Sequence, residues 1–447
     1  MTGSVDLLIA FIRARKTRAA AILALCIKGM GALLTIAIFT LAARAMTTDE
    51  FGQLAIWFNA MSFLAVAAVF GQETLIARSW GEYSGRGEHG IARGAYRFGW
   101  RTTVASGAVF VVALLAFAPL TTVKIAPATL YSGAAFLFVQ TMLHYSSHSS
   151  RVIAGFVVSE TNRELTWRFI LLFAVVWAVF HRGLTPTEFF CAGAAGMMLS
   201  ILFQSLAVRR HFTDMPFAER REVHRAAWFA RSRSMWLSAM VEAASQYADV
   251  MLIGYFATPA AAGGYFVTAR IANIFPMVMT GLNTYLITHC ANLYFSGDIQ
   301  RLQEIMRSIA TTALAFLLPA LLAILVFGRQ ILSIFGERYV SDYPTLVVLS
   351  LACFAVSLSG SASGVLLTTG HEKLYARVIS VATAMRLALT ATLAAKYGAL
   401  GAACGFALIN APLAVGLTIM CRAVCGVDPS IVNIVSRWRP AIRAVSP

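Results

Sequence analysis

The sequence predicts an all-α polytopic membrane protein, with twelve transmembrane helices in two pseudo-symmetric six-helix lobes and both termini cytoplasmic. Three observations predict it. Hydrophobic residues make up 59% of the 447-residue chain and charged residues only 13%, a balance that ordinary water-soluble folds do not carry. Twelve apolar runs recur along the chain, most near the roughly 20 residues a helix needs to cross a bilayer. The basic residues fall mainly in alternate gaps between those runs, as cytoplasmic retention of Lys and Arg requires.

The first run, 19–41, follows Arg13, Arg15, Lys16 and Arg18. It is longer than the roughly 7–15 residues of a signal-peptide core, so it reads as a first transmembrane helix. Runs 54–77, 102–120, 125–147, 169–180 with its flanks, and 189–208 complete an N-lobe, residues 1–208. A cytoplasmic linker, 209–227, opens the charge-rich stretch that leads to Trp228 and Phe229; this connection reads as an amphipathic piece lying on anionic headgroups and tethering the lobes. Runs 228–256, 263–293, 309–327, 343–368, 376–395 and 398–420 form a C-lobe, 228–421, and a cytoplasmic tail occupies 422–447.

With the N-terminus inside, 27 of the 36 Lys and Arg residues lie in cytoplasmic segments and six in the opposite gaps, which fixes the expected orientation. That bias accounts for the net charge of +16, so no nucleic-acid partner is expected; membrane lipids are the expected surroundings.

An offset of 212 residues superposes Phe51-Gly52 on Gly263-Gly264 and Tyr83-Ser84-Gly85 on Phe295-Ser296-Gly297. Six helices per half would place both halves in one orientation, related by an axis along the membrane normal, a transporter layout. Gly29 and Gly31, Pro276, Pro319 and Pro412 mark places where helices bend or approach closely, as do the spacings Gly360-x-x-x-Gly364 and Gly401-x-x-x-Gly405.

A charge at membrane depth costs about 2.5–3.5 kcal/mol on insertion scales and persists where it faces protein or water. Lys28, Arg270 and Arg386 are the basic residues set deep within predicted helices. Helical rise places Lys28 in the cytoplasmic half, Arg386 near the middle and Arg270 in the periplasmic half, a ladder suited to passing an anionic group across. These three are the candidate substrate-binding residues. Glu242 and Asp249, two turns apart on one helix, are candidates for coupling to H+ or Na+. The competing reading is an intramembrane ion pair, with Arg270 on the next helix as a partner for either. Glu73 is also intramembrane, and His144 and His148 read as interfacial hydrogen-bonding groups.

No catalytic or nucleotide-binding motif occurs, which predicts a transporter rather than an enzyme, without a cofactor. The seven cysteines show no disulfide framework or metal spacing; Cys421 and Cys425 read as packing at a helix end.

Several segments resemble one known family. These are Lys28-Gly-Met-Gly-Ala-Leu-Leu with Ala-Arg44-Ala-Met-Thr-Thr-Asp-Glu-Phe51-Gly52; Ala248-Asp249-Val-Met-Leu-Ile-Gly254-Tyr with Ala-Gly-Gly264-Tyr265-Phe-Val-Thr-Ala-Arg270-Ile; and Ile334-Phe335-Gly336-Glu-Arg-Tyr339, followed by Gly370-His-Glu-Lys373 and Lys396-Tyr397-Gly398-Ala-Leu-Gly401-Ala-Ala. Together they are similar to Wzx-type polysaccharide flippases of the multidrug/oligosaccharidyl-lipid/polysaccharide (MOP) exporter superfamily, over nearly the whole chain. The resemblance implies a MOP/MATE-like fold. It also implies translocation of an undecaprenyl-pyrophosphate-linked oligosaccharide across the bacterial inner membrane by alternating access, for surface or exopolysaccharide biosynthesis, with a polysaccharide polymerase and a chain-length regulator as partners. Arg270 and Asp249 match motif positions; Lys28 matches only as a basic residue of the first helix. The extra helices of the lipid II flippase branch are missing. The alternative of another class within the fold is a cation-coupled multidrug exporter; a third reading is a non-transporting scaffold for a polysaccharide synthase complex.

Overall fold

A computed structural model describes residues 23, 26–117, 126–181, 183–213 and 225–434. The basic residues before the first helix, Lys124, Arg182, the middle of the polar connection and the end of the tail lie outside the described residues. Among those described there is no strand, and helices account for nearly every position.

The elements are α1 (Cys26–Ala45), α2 (Thr48–Val69), α3 (Gln72–Gly85), α4 (His89–Phe117), α5 (Pro127–Ile153), α6 (Phe156–Thr161), a π-turn (Asn162–Thr166), α7 (Trp167–His181) and α8 (Pro186–Thr213). There follow α9 (Arg225–Phe256), α10 (Pro259–Ala272), α11 (Ile274–Phe295), α12 (Ile299–Phe335), a 3-10 turn (Glu337–Asp342), α13 (Tyr343–Leu358), α14 (Ala362–Thr368) and α15 (Glu372–Cys425). Among the described residues, eight helical stretches are long and apolar enough to cross a membrane. Large apolar side chains stand exposed along them, including Phe173, Phe180, Val112, Val326 and Val415. Water would penalise such surfaces, whereas lipid tails solvate them, which is the behaviour of a multi-pass membrane protein.

The chain forms two compact units, residues 1–46 with 60–243 and residues 47–59 with 244–447. The division therefore falls inside α2 and inside α9. In the first unit, α2 ends at Phe70 and Gly71, both at positive φ (56° and 70°). A Cβ on Gly71 would stand 2.5 Å from the Ser232 carbonyl oxygen and 2.9 Å from the Trp236 nitrogen, so only glycine fits there. The break releases carbonyls that a membrane interior cannot solvate. Trp236 Nε1 donates to the Ala67 oxygen at 2.9 Å, and Ser106 Oγ donates to the Ala68 oxygen.

The described ends of the polar connection are helical. Residues 209–213 continue α8 and 225–233 belong to α9. Trp228 does not lie on headgroups: it is fully buried, donates from Nε1 to the Tyr83 hydroxyl at 3.1 Å, and packs in a cluster with Leu75, Ile76, Trp80 and Val208. An indole with an internal hydrogen-bond partner gains more from that apolar cluster than from the interface. Phe229, half exposed, stacks on Phe70 with ring centroids 5.4 Å apart.

In the second unit the runs 376–395 and 398–420 lie in α15, which turns at Gly398 (φ 59°, ψ −138°). The turn folds its second half back on its first: a Cβ on Gly405 would meet the Thr390 backbone at 3.1 Å, so the small-residue spacing read from the sequence is a close helix approach. Cys421 and Cys425 pack with Cys290, Leu286 and Leu302 in an apolar core.

Candidate functional site

The membrane-embedded charges of the second unit converge on one place. Asp249 on α9 and Arg386 on α15 are 8% and 1% exposed, and Arg386 Nη1 donates to Asp249 Oδ2 in a buried salt bridge. Arg386 Nη2 also donates to the Ser245 carbonyl at 3.0 Å, and its guanidinium lies over the Phe406 ring, 5.5 Å from the centroid. Tyr265 on α10 donates its hydroxyl to the same carboxylate oxygen at 3.3 Å. Burying either charge alone would be prohibitive in a medium that cannot screen it; the pair, with a carbonyl, a hydroxyl and an aromatic face around it, is tolerable. Asp249 Oδ1 is buried without a hydrogen-bond partner.

Beside this pair is a cavity of about 210 Å3, whose lining includes Asn59, Asp249, Tyr265, Arg270 and Phe406. Arg270, one α-helical turn and a residue beyond Tyr265, sits over the Phe266 ring at 4.6 Å and the Phe58 ring at 6.0 Å. Aromatic faces hold a guanidinium in a fixed place without neutralising it. Asp249 is the only carboxylate among the described lining residues, and it is already bonded to Arg386. The described lining thus holds one guanidinium, Arg270, and one carboxylate, Asp249, whose salt-bridge partner Arg386 stands behind the wall.

The structure brings Arg270, Arg386 and Asp249 together. The carboxylate partner of Arg386 could have been anticipated from the requirement that a buried charge be paired, but sequence spacing favoured Arg270 for that role, because Arg386 is 137 residues from Asp249. Glu242 is exposed and does not line the cavity. Lys28 belongs to the first unit and is exposed on α1. Sequence reasoning missed Tyr265 and Asn59; their signal was only that a polar group sits within an apolar run.

In the first unit, His148 Nδ1 lies 2.9 Å from the His144 carbonyl oxygen, a local helix bond. Glu164 pairs with Arg168 at 2.8 Å, and Arg168 Nε donates to Thr35 on α1 at 2.9 Å. These bonds join α1 to α7 and, through Glu164, to the π-turn, and account structurally for their charges.

Residues 235–392 match the MatE family model. That span holds Glu242, Asp249, Arg270 and Arg386. The chain superposes on an inward-facing MATE family multidrug resistance transporter of the MOP superfamily with a TM-score of 0.75 at 13% identity, covering 91% of this chain and 98% of the other. It superposes on the lipid II flippase MurJ in an inward closed conformation with a TM-score of 0.69 at 12% identity, covering 90% and 87%. The fold is that of these transporters. A curated relative, the probable low-salt glycan biosynthesis flippase Agl15 of Haloferax volcanii, is 24% identical over 161 residues, and the match spans 36% of this chain and 34% of the relative.

Proposed function

We propose that the protein is a flippase that carries undecaprenyl-pyrophosphate-linked oligosaccharide repeat units from the cytoplasmic to the periplasmic leaflet of a bacterial inner membrane. The movement is alternating access between the lobes, with the N-terminus inside, and the product feeds surface or exopolysaccharide biosynthesis. The observation that carries this reading is a guanidinium at the wall of a cavity among membrane helices. Arg270 lines the cavity and is held over Phe266, while the carboxylate of the lining, Asp249, is bonded to Arg386. Such a site attracts a pyrophosphate, whose oxygens match the guanidinium fork. The partial likeness to a glycan flippase and the fold shared with a lipid flippase support the same class. Lys28 and Arg386 complete the proposed substrate path, and a polymerase and a chain-length regulator are the proposed partners.

Transport is coupled to H+ or Na+ at Asp249. A buried carboxylate oxygen without a donor, Oδ1, is the atom that would take the ion. Glu242, two turns earlier on α9, is the alternative coupling residue.

The test is a deletion strain. It accumulates lipid-linked repeat units on the cytoplasmic side, the intact gene restores surface polysaccharide, and Arg270→Ala does not. Full restoration by Arg270→Ala removes this residue from the mechanism. The fold shared with a multidrug transporter favours a second reading, a cation-coupled drug exporter. Drug sensitivity of the deletion strain with normal surface glycan would establish that reading instead.

A further inference from the structure

The first unit contains a larger recess than the one around Arg270. It is a groove of about 910 Å3 along α4, open on one side. Arg93, Arg97 and Arg101 line one end; their four-residue spacing puts all three on one face of the helix. Arg225, at the start of α9, faces the same space, and Phe70, Phe98 and Phe229 form its aromatic walls. Further along α4 the lining changes to Thr102, Ala105, Ser106 and Val109. From Arg93 to Val109 is roughly 24 Å at helical rise. The groove is thus cationic at one end and apolar or weakly polar at the other, with Val104, Val109 and Val112 exposed on the helix beside it.

Arg86 and Arg231 nearby share Glu82, at 3.7 and 3.3 Å. No carboxylate lines the groove among the described residues. Arg97, Arg101 and Arg225 are exposed, and none forms an ion pair with another described residue. Arg93 is the anchored member: its Nη2 donates to the Phe212 carbonyl at 2.9 Å, its guanidinium lies 5.4 Å from the Phe212 ring centroid, and its Nε is buried without a partner. Basic residues that served only to orient the chain would have no reason to converge on one recess, since orientation depends on how many lie near a helix end.

We propose that this groove is a loading site for a lipid-linked pyrophosphate, with the two phosphates among Arg93, Arg97, Arg101 and Arg225 and a single prenyl chain along Ala105 and Val109. Four guanidiniums match two phosphates, each of which accepts paired N–H donors. The apolar part of the lining, Ala105 and Val109, gives a chain a seat beside the arginines. On the N-in orientation the arginine end lies at the cytoplasmic surface, where such a lipid would be collected before transport. The assignment rests on the proposed lipid-linked substrate.

The experiment measures binding of farnesyl pyrophosphate to the purified full-length protein in detergent. The test variant is Arg97→Lys with Arg101→Lys and Arg225→Lys, which keeps every charge that orients the chain but removes the bidentate forks. The expected result is binding weakened about tenfold in the variant. An unchanged elution profile shows that the variant is folded. Equal binding by the variant and the wild type overturns the groove assignment, as does equal competition by phosphatidylglycerol, which would mark a phospholipid site. Both outcomes leave the flippase reading standing. Normal surface polysaccharide in the deletion strain would overturn that reading without altering the binding result.

Discussion

The arginines of the second unit and those of the first unit's groove solve opposite problems. Arg386 is almost wholly buried and brings its own counter-ion: it is bonded to Asp249 and to a backbone carbonyl and lies over the Phe406 face. Arg97, Arg101 and Arg225 stand exposed around an open recess with no carboxylate among its described lining. The first arrangement supplies Arg386 with partners from within the fold and fixes the position of neighbouring groups; the second leaves donors to be satisfied from outside. The difference shows why counting basic residues says little about binding. A guanidinium at depth is costly enough that its first function is to be paired. In the second unit Arg270 lies over two aromatic rings and lines the cavity, whereas Arg386 is held behind it by Asp249.

The comparison breaks most directly at Asp249. Asp249→Ala strands Arg386 as a buried, uncompensated cation, and the expected cost is about 3–5 kcal/mol of stability. Replacing both partners with leucine-sized apolar residues should return most of that loss, because the pair's net worth is far smaller than the cost of leaving half of it. Thermal unfolding in detergent measures both. If the single and double variants unfold together, the salt bridge is not what holds Arg386. The corresponding change in the groove, Arg97→Ala, removes an exposed side chain and should shift stability by no more than about 0.5 kcal/mol.

Smaller effects separate backbone from side-chain causes in the first unit. Gly71→Ala must place a Cβ at φ 70° and 2.5 Å from the Ser232 oxygen, so roughly 1–3 kcal/mol is expected. A loss below that range would show that α9 shifts to make room. Trp228→Phe keeps the aromatic bulk but leaves the Tyr83 hydroxyl without its donor, for about 1 kcal/mol. Both are read from the same unfolding midpoint.

How much of this was legible beforehand depended on what each residue had to satisfy. The helices were legible because every apolar run, wherever the structure describes it, falls in helix. The breaks within the runs were not: Phe70 and Gly71, Asn273 and Gly360 interrupt helices without interrupting hydrophobicity, and a lone glycine in an apolar run is also what close packing looks like. Trp228 was misread because an aromatic residue among charges marks a membrane surface and a buried helix start alike; the tertiary contacts of Tyr83 decided between them. At the site, the need for a partner to Asp249 was visible and its identity was not. Helix adjacency in sequence pointed to Arg270, while folding brought in a residue 137 positions away.

The finest test of the comparison concerns two carboxylates on one helix. Asp249 is buried, bonded to Arg386, and keeps one oxygen without a donor. Glu242, two turns earlier on α9, is exposed. If ion coupling needs a site in which desolvation makes protonation or Na+ binding respond to the conformational state, the buried group meets the requirement and the exposed one does not. Glu242→Gln should therefore leave stability within about 0.5 kcal/mol and leave the dependence of lipid flipping on a proton or Na+ gradient unchanged. Asp249→Asn should abolish that dependence even where folded protein is recovered. Reconstituted vesicles with an imposed gradient would measure both. A Glu242→Gln protein that flips lipid but no longer responds to the gradient would move the coupling site to the exposed carboxylate, and the unpartnered oxygen of Asp249 would then need another explanation.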